Sequence, residues 1–344
     1  MLKRPDDIQV RSEIGSLACP LCGHSALHPT SQTVVLQEIL RRWQEESNVV
    51  FPRAVWQEYE PPSPQQVTLH ICSTCGYGVF LTIVTGSRGF YGIVTSGAYY
   101  TDEKWEFHRA IQDLKHYGAR NVLDVGCGSG YFLDRVKRDA PEVADRTGYE
   151  FNAQSAATAR SRGHEVYEGP FPDTILRARK EGLYDAVTMF QVLEHVADPT
   201  VLIRGARTLL SPAGRLLIGV PDSQGPLRHF RDAITDVPPH HVSRWCRSTF
   251  EVAAPRLGFR VIHCETEPLP FYLWDSYLPV ILEHDLHLGM IARLLDRTST
   301  IRMLGLLLRR AGVKWLGGVP GHTVYVDMQP GASVHYRPAD EPTA

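Results

Sequence analysis

Residues 121–133 read NVLDVGCGSGYFL: an apolar run interrupted by Asp124, then glycines at 126, 128 and 130, then Tyr131, Phe132 and Leu133. A β-branched and apolar run of this length reads as a buried strand, and the alternating glycines permit a tight turn. The residues beyond them open a helix. A glycine loop between the first strand and the first helix is where a doubly wound α/β sheet brings backbone amides to a nucleotide-like ligand. The spacing is G-x-G-x-G, and Tyr131 stands where a dinucleotide loop carries its third glycine. Taken alone, three glycines are also plain turn punctuation.

The stretches on either side give the loop its context. Upstream, Phe107, Ala110, Ile111 and Leu114 fall on one helical stripe that Gly118 stops, with Thr101 or Asp102 as the expected cap. Downstream the order is helix YFLDRVKRD, strand RTGYE, helix NAQSAATARSRG, strand HEVYEG, helix DTILRARKEG, strand YDAVTMF, helix PTVLIRGARTLL, turn SPAG and strand RLLIGVP. Such alternation predicts a parallel sheet with helices on both faces. A loop-rich stretch follows from 221 to 246, then a helix near STFEVAAPRLG and strand FRVIHCET. Residues 271–315 read as mainly helical, and HTVYVDMQ reads as an alternating last strand.

Composition bounds the function. The 344 residues allow one full α/β domain and a smaller companion. With 43% hydrophobic and 22% charged residues the chain is an ordinary globular one. Lysine plus arginine number 36 against 38 acids, so no global positive field recruits phosphate backbones, and nucleic acid is disfavoured as the main partner. The start, MLKRPDDIQV, lacks the apolar stretch of a signal peptide, and no run approaches a transmembrane segment. A cytoplasmic enzyme is the expectation. A homo-oligomer stays open.

Two further features narrow the ligand. Glu150 lies twenty residues after Gly130, at the expected end of the second strand. A carboxylate there can accept both hydroxyls of an adenosine ribose, which NAD and S-adenosylmethionine both carry. The second feature is YDAVTMFQVLEHVADP at 184–199, followed by LLSPAGRLLIGVPD at 209–222. With these motifs the chain resembles the class I S-adenosylmethionine-dependent methyltransferases over roughly residues 100–265, four motifs standing in the family's order.

The resemblance implies a Rossmann-like seven-stranded sheet whose last strand inserts antiparallel. Asp124, Gly126, Gly128 and Gly130 would then shape the pocket for the methionine end of S-adenosylmethionine. Glu150 would hold the ribose, Phe151 would flank the adenine, and Gln191 would lie beside the methionine and methyl group. Glu194 and His195 are expected to secure the start of the next helix. Methyl transfer needs alignment and often a base. His240 and His241, in VPPHHVSRW at 237–245, are the candidates, with His241 preferred. In an extended segment only one of two adjacent histidines would face the substrate.

Residues 1–100 read as a separate, β-rich module. CPLCG and CSTCG place Cys19, Cys22, Cys72 and Cys75 in two knuckles. Four thiolates at such spacing suit a closed, structural zinc site, while a redox dithiol is the alternative. The 49 residues between the pairs must fold as an insert, in which VLQEILRRWQEE puts Leu36, Ile39, Leu40 and Trp43 on one helical face. Cys246 and Cys264 are expected to be buried apolar packing, and Cys127 a small side chain in the loop. The expected architecture is thus a zinc-ribbon-like module over 1–100 and a methyltransferase domain over 101–344, with a helical insertion at about 271–315. This layout is similar to bacterial natural-product, sugar and cell-envelope tailoring methyltransferases. The expected acceptor is a small molecule, sugar or glycoconjugate. An RNA methyltransferase with a zinc module, and a zinc-ribbon interaction protein with a vestigial cofactor fold, are the competing readings.

Overall fold

The computed structural model describes residues 10–11, 18–24, 26–94, 103–178, 183–285, 287 and 315–331. The first part carries strands β1 (Val10–Arg11) and β2 (Leu27–Val35), helices α1 (Leu36–Ser47) and α2 (Arg53–Glu58), strands β3 (Gln66–Cys72), β4 (Gly78–Leu81) and β5 (Ile83–Val84), and helix α3 (Arg88–Val94). Strict alternation follows: α4 (Trp105–Tyr117), β6 (Asn121–Val125), α5 (Tyr131–Asp139), β7 (Asp145–Tyr149), α6 (Ala153–Ser161), β8 (Glu165–Tyr167), α7 (Asp173–Ala178), β9 (Tyr184–Phe190), α8 (Pro199–Leu209) and β10 (Leu210–Pro221). The chain continues through β11 (Ser243–Arg244), α9 (Arg247–Ala253), β12 (Phe259–Pro270), α10 (Trp274–Val280) and β13 (Trp315–Pro330).

The central sheet has seven strands in the order β12-β13-β10-β9-β6-β7-β8. β6, β7, β8, β9 and β10 pair in parallel, and β13 runs antiparallel to both β10 and β12. This is the sheet the resemblance implies, and HTVYVDMQ is the inserted strand. The last hairpin is longer than the sequence pattern indicates, because β12 and β13 pair out to Pro270 and Trp315. β10 takes in the SPAG turn as a register break between Leu210 and Arg215. Helical structure begins as expected at 271, with Phe271–Leu273, α10 and a π-turn over Ile281–Asp285. The rest of the expected helical insertion, and the Thr101 or Asp102 cap, lie outside the described residues. α4 starts after Lys104, which gives no side-chain cap, and ends on Gly118 at φ 64°.

The amino-terminal part forms a four-stranded sheet in the order β11-β4-β3-β2. Its edge strand β11 comes from the segment after β10, so the carboxyl-terminal part of the chain supplies one strand to it. α1 buries Leu36, Ile39, Leu40 and Trp43, as its 3.6-residue period predicts. The core does not divide at residue 100. Cys19, Leu21, Tyr77 and Val79 pack in one cluster with Trp245, Phe250, Leu216 and Val326.

Candidate active site and thiol cluster

The glycine loop leaves β6 with Gly126 at φ 76°, Gly128 at φ 53° and Gly130 at φ 85°. All three angles are ones that side chains rarely adopt. A Cβ on Gly126 would overlap Val192 Cγ2, and one on Gly130 would come within 2.7 Å of His164. The loop amides also find the expected acid. Glu150, at the end of β7 and 7% exposed, accepts from the Gly128 amide at 2.7 Å and the Asn152 amide at 2.8 Å. An ionised carboxylate has about four lone-pair sites, so two remain for a vicinal diol. Burial pushes the Glu150 carboxyl above its ordinary range, and the Asn152, Gly128 and Phe151 backbone amides pull against it. A buried carboxylate braced in this way fits the ribose of an adenosine cofactor.

Asp124 is equally buried. Thr188 donates to it at 2.7 Å, and burial still raises its carboxyl to about 7. Phe151 stands beside the loop with its ring edge-on to Tyr149 at 5.0 Å. Gln191 follows β9 in the left-handed region at φ 56°, where its amide donates to Gly219 and its side chain donates to Glu106 at 3.3 Å. Glu106 sits on α4 and is 3% exposed. The sequence reading missed it, because a single acid on an amphipathic helix carries no positional signal. It also missed Lys104, whose charge bears on Asp124, Glu194, His195 and His322.

The loops after β9 and β10 converge on this side of the sheet. Glu194 and His195 do not cap the next helix: Asp198 does, accepting from the Thr200 amide at 3.1 Å. They occupy a short 3-10 turn instead, with the Glu194 carbonyl accepting from the Val242 amide at 2.8 Å. The segment carrying His240 and His241 is not extended either. Both histidine amides donate to the Val237 carbonyl, and this turn brings the two imidazoles to the same side, stacked at 4.5 Å and 27°. The expectation that only one would face the site rested on a strand's alternation, which a turn lacks. His195 joins them, its ring 4.7 Å from each.

Hydrogen bonds hold the three rings. His195 Nδ1 donates to the His240 carbonyl at 2.9 Å, and His240 Nδ1 to the Thr235 carbonyl at 3.0 Å. His241 Nδ1 donates to Asp236 Oδ1 at 3.2 Å, and Asp236 is paired with Arg244 at 3.0 Å. Tyr91 donates to the same His240 carbonyl at 2.9 Å. Burial lowers His195 to about 4 and holds His240 and His241 well below the usual imidazole range. Beside them Glu194 is 1% exposed, and neither carboxylate oxygen has a hydrogen-bond partner among the described residues. Burial raises its carboxyl to about 8.

The four knuckle cysteines meet within the same core. Their sulfurs lie within 4.8 Å of one another, with Cys19 and Cys75 at 3.7 Å and Cys22 and Cys72 at 3.6 Å. Tetrahedral zinc with bonds of about 2.3 Å places its sulfurs about 3.8 Å apart, so the four thiols are arranged to hold such an ion. The Cys75 carbonyl accepts from the hydroxyls of Ser248 and Thr249 at 3.1 and 3.0 Å, which ties the knuckle to the start of α9. Cys127, Cys246 and Cys264 are buried.

Residues 101–264 match the family described as methyltransferase domain. The ubiquinone biosynthesis O-methyltransferase of Xanthomonas axonopodis pv. citri is 37% identical over 111 residues, which are 30% of this chain and 44% of that protein. A protein of the same name from Bordetella avium is 37% identical over 99 residues, 28% of this chain and 40% of its own. The chain thus spans less than half the length of these relatives. A solved SAM-dependent methyltransferase from Archaeoglobus fulgidus aligns over 65% of this chain and 94% of its own at 16% identity, with a TM-score of 0.42. With its sheet order, its glycine loop and its matched motifs, the segment from 101 to 264 is a class I S-adenosylmethionine-dependent methyltransferase domain.

Proposed function

We propose that the protein transfers a methyl group from S-adenosylmethionine to an oxygen of a small-molecule acceptor, a sugar or glycoconjugate hydroxyl included. The observation that carries the reading is Glu150, buried at the carboxyl end of β7 and braced by the Gly128 and Asn152 amides with lone pairs to spare. The sulfonium of the bound cofactor supplies the methyl group. Asp124 and the glycine loop bind the methionine end, Glu150 the ribose and Phe151 the adenine face. Gln191, held in the left-handed region between Gly219 and Glu106, orients the reacting end. On the acceptor side one neutral imidazole, His241 in preference to His240, takes up the hydroxyl proton. Each of the two directs its Nδ1–H at an acceptor, so its Nε2 carries the lone pair. The choice of oxygen is supported by relatives whose names specify O-methylation.

The four thiols hold one structural zinc in this reading, and residues 1–100 act as a module that braces the acceptor-side loop through β11. Zinc content of the purified protein tests the first point. Calorimetry with S-adenosylhomocysteine and with NAD tests the cofactor. Binding of NAD alone would replace the reading with a dehydrogenase, and labelled-methyl transfer to a panel of phenols and sugars identifies the acceptor.

A further inference from the structure

We infer that His195, His240 and His241 form a second metal centre, a three-imidazole site for one divalent transition ion at the acceptor side of the crevice. One ring nitrogen from each lies within 4.8 Å of the other two. Convergence alone is common among packed histidines, and the hydrogen bonds go further. A carbonyl can only accept, so the bonds to the His240 and Thr235 carbonyls fix a hydrogen on Nδ1 of His195 and of His240. The Asp236 carboxylate, steadied by Arg244, does the same for His241. All three imidazoles therefore carry their lone pair on Nε2, the tautomer of a metal-binding histidine whose other nitrogen is oriented by a carbonyl or carboxylate. Three rings selected into one tautomer, His240 and His241 stacked and His195 edge-on to both, are organised for a ligand set rather than for packing.

An independent observation points to a cation. Glu194 buries a carboxylate with no hydrogen-bond partner among the described residues, and its Oε1 lies 3.9 Å from His195 Nε2. Leaving such a group unsatisfied is costly unless a positive charge arrives beside it. Three neutral nitrogens next to one carboxyl group, which a bound cation would ionise, suit zinc, iron, cobalt, nickel or copper. Magnesium and calcium prefer oxygen donors. Three protein ligands leave a coordination position open, as catalytic sites do, unlike the closed four-thiol set. That position would receive an acceptor heteroatom, a role that rests on the methyl-transfer reading, and with the ion bound it replaces the imidazoles as the group that favours loss of the acceptor proton. The binding itself does not depend on that reading.

The test is a cobalt(II) titration of the full chain after its thiol site has been saturated with zinc, followed by calorimetry and visible absorption. One further equivalent is expected, with ligand-field bands and no thiolate charge-transfer band. His195→Gln and His240→Ala should each weaken that uptake about tenfold or more, and Glu194→Gln should weaken it less. S-adenosylhomocysteine affinity, measured on every variant, reports a folded cofactor half. A zinc content of one per chain together with no cobalt uptake by that zinc-loaded wild type, or uptake unchanged in both imidazole variants, overturns the site. Failure to bind S-adenosylhomocysteine would overturn the transfer reading and leave the cobalt result to stand by itself.

Discussion

At the scale of single residues, Glu150 and Asp124 make separate predictions because burial treats them differently. Glu150 already has two amide donors, so Glu150→Ala removes the proposed ribose acceptor and frees Gly128 as well. Cofactor affinity measured by calorimetry should fall by about 1.5–3 kcal/mol, the range for a hydrogen bond to a charged group. Asp124 titrates near 7 in the folded chain, above its ordinary 3.8. A raised acid is protonated in the folded state while it is ionised in the unfolded one, so the apoprotein loses stability as pH rises from about 4 to about 7. In the proposed binding mode the ammonium of the methionine end would favour the ionised form. S-adenosylhomocysteine should therefore bind more tightly as pH rises through about 7, and below that binding should release a proton, detectable in buffers of different ionisation enthalpy.

At the scale of elements, the turns decide the site. Gly126→Ala would place a methyl against Val192 in a left-handed conformation that costs side chains about 1–2 kcal/mol, so both the melting temperature and cofactor affinity should drop. The knuckles act on the site indirectly. Cys75 anchors the start of α9, and β11 pairs with β4 just past His241. Removing the proposed zinc, by chelation or by Cys72→Ser, is expected to loosen the segment bearing His240 and His241 along with the knuckles. Loss of zinc without loss of turnover would separate the two. The elements themselves were legible: α5 and β9 match their sequence limits, because each follows a simple period bounded by glycine or a charged turn. The turn at 237–241 was not, since adjacent histidines say nothing about the backbone beneath them.

At the scale of the whole molecule, Trp245 is the joint. It is fully buried, edge-on to Tyr77 at 5.1 Å and stacked on Phe250 at 5.2 Å, and so links the amino-terminal sheet to α9. Trp245→Ala should cost about 3–5 kcal/mol. With one core running through both parts, thermal unfolding should shift as a single transition. Two resolved transitions, only one of them shifted, would show that residues 1–100 fold as an independent module. Among the described residues no helix is long and apolar enough to cross a membrane.

By itself the sequence determined what depends on neighbours along the chain. The strand and helix alternation, the glycine loop, the acid twenty residues beyond it and the paired knuckles are all short-range patterns of period or spacing. Only the tertiary structure decided what depends on distant segments meeting. It laid β13 between β10 and β12, lent β11 to the amino-terminal sheet, set Glu106 against Gln191 and brought the charge of Lys104 near Asp124 and Glu194. It also set His195 against a carbonyl 45 residues away. The physical reason is that a side chain's partners across a core are chosen by packing and by the need to satisfy buried polar groups, and neither constraint leaves a periodic trace in the chain.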